Sequence, residues 1–332
     1  MPIALVFPGQ GSQSRGMLAA LAARFPSVQR CFAEASAALD LDLWRLVTEG
    51  PVERLNATEF TQPVMLAAGI ATWRVWLEQG GAHPAAVSGH SLGEFTALVC
   101  AESLAFGPAL RLVRDRGRLM QQAVPTGGAM AAILGLEDEA VEALCLEAAG
   151  HEVVEVVNFN SPGQVVIAGN SAAVDRAVEL ARVRGARRAR RLSVSVPAHS
   201  SLMRSAAAQL QPQLAQLPIG PPRYAYFSAV DGAEHASPED IRAILAQQLA
   251  SPVRWRRTVR ALFTRAPMLI ECGPGKVLTG LNRRIERGAS CLALEDPESL
   301  AAALRAGASE PEGLAADGNP PCGQCAPGAA GA

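Results

Sequence analysis

Apolar residues along this chain fall into two patterns, short unbroken runs and longer stretches with helical spacing, and their alternation predicts an α/β protein. Ile3-Ala4-Leu5-Val6-Phe7 is a continuous apolar run of the kind a strand buried on both faces needs, and Pro8-Gly9-Gln10-Gly11-Ser12 ends it in a loop. In open α/β sheets, ligands bind where loops leave such strand ends. These glycines do not make G-x-G-x-x-G, since Ser14 stands at the third position, which argues against a dinucleotide site. Helical spacing follows over 28–38 and 61–79, the second with Thr61 as its cap, Pro63 in its first turn and Gly80-Gly81 as its stop. After a further strand, helices are expected over 92–101 and 108–123.

From Gly127 the order becomes strand 129–134, helix 137–148, strands 153–158 and 164–169 around a Ser161-Pro162-Gly163 turn, helix 171–184 and strand 187–196. That β-α-β-β-α-β order is the ferredoxin-like unit. Helices and strands alternate again from Ser200 to about Ala293, with strands at 224–227 and 268–271, so the unit reads as an insert. The expected fold is therefore a discontinuous α/β domain formed by 1–125 and 197–305, an inserted ferredoxin-like subdomain at 126–196, and a disordered Gly/Ala/Pro-rich tail at 306–332.

The stretch Val87-Ser88-Gly89-His90-Ser91-Leu92-Gly93-Glu94 carries the first chemistry. An apolar run ends in G-x-S-x-G and a helical pattern follows at once, the arrangement of a nucleophile elbow that exposes Ser91 at a helix N-terminus. A serine nucleophile needs a base, usually histidine, and the chain has five histidines. His83 precedes a proline in a loop, His90 is expected to point away from the hydroxyl's side, His151 follows a glycine after a polar helix, and His235 lies in a Gly/Ser/Pro-rich loop. His199, directly after the strand closing the insert, is the favoured base, and serine before histidine agrees with α/β-hydrolase order.

Composition narrows the rest. With 332 residues and 49% hydrophobic content the chain can bury a full core, and a net charge of −1 gives no general pull on nucleic acid or anionic lipid. No basic leader precedes Arg15 and no apolar stretch is long enough for a bilayer, so a cytoplasmic protein is expected. The seven cysteines read as free thiols; Cys322 and Cys325 form a lone C-x-x-C, too few ligands for structural zinc. Arg182, Arg184, Arg187, Arg188, Arg190 and Arg191 form a basic run, either a solvated face or a docking surface for an acidic helix or phosphates.

Several motifs in one order, Phe7-Pro8-Gly9-Gln10-Gly11-Ser12-Gln13, the GHSLGE elbow, Asp115-Arg116-Gly117, Asn158 to Gln164, Val196-Pro197-Ala198-His199, Gln248-Leu249 and Gly273 to Leu278, make the chain resemble the malonyl-CoA:acyl carrier protein transacylase family up to about Arg305. The resemblance implies an α/β-hydrolase-like core carrying the ferredoxin-like insert, in agreement with the order of elements, and implies that Ser91 attacks a malonyl thioester with His199 as base and that the amides of Gln10 and Leu92 form an oxyanion hole. It also implies that Arg116 grips the free malonyl carboxylate, although Arg111, Arg114 and Arg118 crowd the same helix and only the motif singles it out. Asn158 and Asn160 are implied as substrate-pocket residues, and the backbone carbonyl of Gln248 as the group orienting His199 in place of an acid. No metal and no bound cofactor are implied. The partners would be malonyl-CoA and acyl carrier protein, the protein a monomer, and the pathway fatty-acid biosynthesis; a polyketide or other malonyl-carrier system, or an acyl-thioester hydrolase, are the alternatives. Ala198 departs from the Ser or Phe more often found there, Phe95 from a frequent Tyr, and the strand at Tyr224 to Ser228 lacks an expected Asn.

Overall fold

A computed structural model describes residues 1–194 and 196–308. Strand β1 (Ile3–Phe7), every residue of it buried, occupies the centre of a five-stranded parallel sheet. Helices α1 (Ala19–Arg24), α2 (Ser27–Leu39), α3 (Leu43–Glu49), α4 (Val52–Asn56) and α5 (Thr58–Glu78) lead to β2 (Ala86–Gly89), which pairs with β1 in parallel from Ala4↔Ala86 to Phe7↔Gly89. α6 (Gly93–Cys100) and α7 (Phe106–Ala123) follow, α7 packing on α5.

The chain then builds a second, antiparallel sheet from β3 (Gly128–Leu134), β4 (Val154–Ser161), β5 (Gln164–Asn170) and β6 (Arg188–Arg191), with α8 (Asp138–Ala149) after β3 and α9 (Ser171–Val183) after β5. Its strand order is β4-β5-β3-β6. Ala131, Ile133, Val165 and Ile167 face the two helices and form a separate core, whereas Met130, Val157, Val166 and Ala168 face the other way, toward Leu192, Val194 and Ala198. After it come α10 (Arg204–Gln216), β7 (Ala225–Phe227), α11 (Pro238–Gln248), α12 (Trp255–Phe263), β8 (Met268–Glu271), α13 (Val277–Ile285), β9 (Ser290–Ala293) and α14 (Pro297–Ala308). The parallel sheet runs β7-β2-β1-β8-β9, so its strands come from both sides of the antiparallel segment in sequence. A backbone splice joins the sheets: Phe159 donates to the Val253 carbonyl and Val253 to the Val157 carbonyl, each at 2.8 Å.

Several expectations need correction. Thr61 is not a cap, because α5 begins one turn earlier at Thr58; the Thr61 hydroxyl instead turns back onto the carbonyls of Leu55 (2.6 Å) and Ala57 (3.2 Å), and Pro63 lies inside the helix. The strand expected over 187–196 pairs only from Arg188 to Arg191, since the apolar residues beyond it wall a cavity instead of extending the ladder. The expected tail begins too early: Ala306 to Ala308 are the last turn of α14. The rest of it, with Cys322 and Cys325, lies outside the described residues. All five described cysteines are free and buried, and among the described residues no helix is long and apolar enough to cross a membrane.

Candidate active site

The C-terminal ends of β1, β2 and β8 share one rim of the parallel sheet. At this rim β2 turns into α6 so tightly that a Cβ on Gly89 would stand 1.9 Å from the Gly93 carbonyl carbon, and one on Gly93 would stand 2.0 Å from the Phe7 carbonyl oxygen. Only glycine fits at either place. Between them Ser91 is held at φ 53°, a left-handed conformation uncommon outside glycine. That strain lifts its hydroxyl off the sheet.

The hydroxyl meets a histidine 108 residues away: Ser91 Oγ lies 2.7 Å from His199 Nε2. His199 is also left-handed, at φ 67°, with its amide donating to the Leu249 carbonyl at 3.1 Å. Its Nδ1 lies 2.9 Å from the carbonyl of Gln248 and 3.1 Å from that of Ser251. Carbonyls only accept, so the proton sits on Nδ1 and Nε2 is left as a lone pair facing the serine O–H. Burial and the nearby Arg116 cation push the imidazole down to about 3, keeping it a neutral acceptor. The pair can deprotonate an attacking hydroxyl without a carboxylate.

Arg116, on the inward face of α7, is 1% exposed. Its Nη1 donates to Gln62 Oε1 (2.9 Å) and Met120 Sδ (3.3 Å), and its Nη2 to Gln248 Oε1 (2.9 Å) and weakly to Ser91 Oγ (3.4 Å). Nε is buried without a partner. Every group holding this cation is neutral. Burial brings the guanidinium down to about 10, with the Glu94 carboxylate pulling the other way.

These residues share a cavity of about 110 Å³, lined by Gln10, Ser91, Leu92, Arg116, Asn158 and His199 on its polar side and by Met120, Met130, Val166, Leu192, Val194, Val196 and Ala198 on its apolar side. Gln10 is tied through its side-chain amide to Thr58 Oγ1 at 3.2 Å. Among the turn and loop hydrogen bonds of the described residues, neither the Gln10 nor the Leu92 amide has an acceptor, and Leu92 heads α6. Asn158, at a bulge in β4, lines the cavity with its Oδ1 buried and unpartnered.

Asn160 is placed differently from the expectation: it does not line the cavity, and its Oδ1 lies 2.9 Å from His90 Nε2. His90 is itself among the residues lining the cavity, while its imidazole goes to Asn160 and stands 5.6 Å from the Trp255 ring. The bulge that turns Asn158 inward shifts the register at Asn160, which neither residue type announces. Sequence reasoning also passed over Gln62, Met120, Glu94 and Tyr226. Glu94 is 1% exposed, accepts from Gln248 Nε2 at 2.8 Å and from the Tyr226 hydroxyl, and is pushed up by burial against the pull of those donors. One signal was available: Glu94 is the only charged residue of α6, and Gln62 directly precedes the polar-free run from Pro63 to Ala71. Among the described residues no three His, Cys, Asp or Glu side chains converge as a metal site.

The family model for the acyl transferase domain matches residues 4–284. The malonyl CoA-acyl carrier protein transacylase of Escherichia coli (strain K12) is 51% identical over 303 residues, covering 91% of this chain and 98% of that relative. A crystal structure of malonyl-CoA:acyl carrier protein transacylase from Xanthomonas oryzae pv. oryzae superposes with TM-score 0.90 at 50% identity, covering 92% of this chain and 99% of the other. A malonyl-transacylase solved in complex with its type II polyketide acyl-carrier protein gives TM-score 0.90 at 50% identity, covering 92% and 100%.

Proposed function

The chain belongs to the acyl transferase family, among the malonyl-CoA:acyl carrier protein transacylases, and from that premise we propose that it moves malonyl from CoA to an acyl carrier protein through an ester on Ser91. Ser91 Oγ attacks the thioester carbonyl carbon as His199 Nε2 takes the hydroxyl proton. The oxyanion is received by the Gln10 and Leu92 amides, two donors from separate segments converging on one oxygen. Its collapse breaks the C–S bond, and the departing CoA sulfur takes the proton from His199. In the second half the phosphopantetheine thiol gives its proton to His199 Nε2 and attacks the ester, and Ser91 recovers its hydroxyl. Arg116 holds the distal malonyl carboxylate through charge-assisted bonds, its unpartnered Nε being the donor the free site leaves unused. Asn158 offers an acceptor within the same pocket, whereas Asn160 acts behind it, on His90.

One observation carries this reading: the Ser91 to His199 contact at 2.7 Å opens into the same cavity as Arg116, a buried arginine that among the described residues is held by neutral groups alone. A carboxylate clamp has no purpose for a simple acyl ester, which argues against a general hydrolase. We read residues 1–125 and 197–305 as an α/β-hydrolase-like core and 126–196 as a ferredoxin-like insert, supported by the order β4-β5-β3-β6 with both helices on one face. A cytoplasmic setting belongs to the same reading, since the five described cysteines are free thiols. The carrier serves fatty-acid synthesis or, as in the polyketide complex, a related malonyl-carrier system.

Intact-protein mass spectrometry after brief exposure to malonyl-CoA tests the mechanism. The wild type gains one malonyl group and loses it to added carrier thiol faster than to water; Ser91→Ala gains none. A malonyl adduct on Ser91→Ala would sink the ester.

A further inference from the structure

A buried guanidinium that must receive a substrate carboxylate faces a difficulty. Left without any negative charge nearby it is costly to bury, and given a direct carboxylate partner it is already satisfied, so that a dicarboxylic substrate must displace an internal ion pair. Around Arg116 the chain places a third arrangement. The nearest buried acid, Glu94, does not touch Arg116; the side-chain amide of Gln248 stands between them. Its orientation is fixed, because arginine only donates, while the Glu94 carboxylate and the Ser91 carbonyl only accept. Hence Gln248 Oε1 takes Arg116 Nη2 at 2.9 Å, and Gln248 Nε2 gives to Glu94 Oε1 at 2.8 Å and to the Ser91 carbonyl at 2.9 Å. The far Glu94 oxygen is taken by the hydroxyl of Tyr226, which is fully buried on β7. Glu94 and Gln248 are each 1% exposed, so water screens neither.

We propose that Glu94 and Gln248 are positioning residues for substrate selectivity: Gln248 holds the Glu94 charge one amide away from Arg116, close enough to keep the cation charged and too far to occupy it. The inference rests on the reading that Arg116 receives the distal carboxylate. Coulomb attraction falls with distance, and the bidentate geometry that makes Arg–carboxylate pairs strong needs direct contact, which the incoming substrate alone can supply. It also gives Tyr226 a purpose, as the donor that stops the Glu94 carboxylate from turning toward Arg116.

The test is an exchange of the two side chains, Glu94→Gln with Gln248→Glu. Volume, net charge and the Arg116 and Tyr226 hydrogen bonds are kept: Gln at 94 accepts from Tyr226 and donates to Glu at 248, whose other oxygen now lies against Arg116. Only the position of the negative charge changes, apart from the donor lost by the Ser91 carbonyl. Acylation rates with malonyl-CoA and acetyl-CoA are compared for the wild type, the exchange and Arg116→Ala. Both rates fall in the exchange through the lost donor to Ser91, but the malonyl-to-acetyl ratio of kcat/KM falls further, on the order of 100-fold, mainly through KM for malonyl-CoA. Should the exchange fail to fold, Gln248→Glu alone, which leaves the Tyr226 acceptor in place, reads the same ratio. An unchanged ratio in a folded exchange, with the ratio lost in Arg116→Ala, overturns this inference and leaves Arg116 as the carboxylate clamp. An unchanged ratio in Arg116→Ala overturns the clamp itself.

Discussion

The imidazole of His199 is where burial and catalysis pull hardest against each other. Its proton affinity is pushed down to about 3 from an ordinary 6.5. In the free enzyme it is therefore an unprotonated base well below neutrality, so kcat/KM for malonyl-CoA holds nearly level from pH 7 to pH 5, where an ordinary histidine would cost about 25-fold. A pH profile at constant ionic strength checks this. The same shift lowers stability in acid: below about pH 6.5 the unfolded chain binds a proton at this site that the folded chain refuses until about 3. Folded stability thus falls as pH falls through that window, and His199→Asn recovers about 1 kcal/mol between pH 6.5 and 5.5 in urea melts. Ala198, beside it, is small and lines the cavity among Met130, Val166 and Val196. Filling that space with Ala198→Phe should lower loading of methylmalonyl about tenfold more than loading of malonyl, measured by competing the two CoA thioesters, because one methyl in a tight apolar pocket is worth ~1–3 kcal/mol. At this scale Ser91 and His199 were legible, because the elbow is a local pattern and histidines are few. The neutral cage around Arg116 was not: Met120 stands four residues on along α7, but Gln62 and Gln248 reach the guanidinium from two other helices, a meeting with no spacing of its own.

Among the elements, β6 turns the arginine run from an even distribution into a sided one. Strand alternation puts Ala189 and Arg191 toward the helices, where Arg191 pairs with Asp175 of α9 at 3.0 Å. Arg190 stands opposite Ala132, whose other neighbour is the cavity residue Val166, and Arg188 stands opposite Leu134. Arg188 and Arg190 therefore lie on the cavity's side of the sheet, in line with Leu192 and Val194, and are exposed. Arg182 and Arg184 are instead paired with Glu179 and Glu147. Replacing Arg188 and Arg190 together by Ala should raise KM for malonyl-CoA and for the carrier roughly threefold to tenfold at low salt, with the gap closing as ionic strength rises and kcat nearly constant; the measurement is a salt series on both substrates. The run was visible in sequence, but its two sides were not, because the strand is only four residues long and its apolar continuation reads as more strand. Short elements such as α1, α3, α4 and β9 escaped for the same reason, each having too few turns or residues to show a period. Longer ones, such as α2 and α7, were placed to within a turn.

Across the whole molecule, the cavity exists only because two sheets with separate cores close over it. Serine, imidazole and guanidinium come from segments flanking the antiparallel sheet, while that sheet supplies Met130, Asn158 and Val166. No sequence pattern records such a seam, although the order of elements on either side of it was legible. The seam is held by the backbone splice at Val253, by Arg256 with Asp138, Arg284 with Gln164 and the Ser201 amide with Glu155, and beside the cavity by His90 with Asn160. His90 belongs to the elbow and Asn160 to β4, so this contact fixes the nucleophile's turn against the opposite wall. Asn160 is buried and His90 half-buried, and each would lose this hydrogen bond without the other. Asn160→Ala is expected to cost ~1–3 kcal/mol of stability in urea melts, since the splice remains. Its larger effect should fall on the acyl-enzyme: with the wall loosened, water reaches the Ser91 ester, and the share of bound malonyl lost to hydrolysis instead of to carrier thiol should rise about threefold to tenfold. Chasing preloaded malonyl-enzyme with and without carrier measures that share directly. If hydrolysis and transfer partition as in the wild type while stability drops, the contact is a brace for folding alone and the closing of the cavity is the work of the splice and the other contacts across the seam.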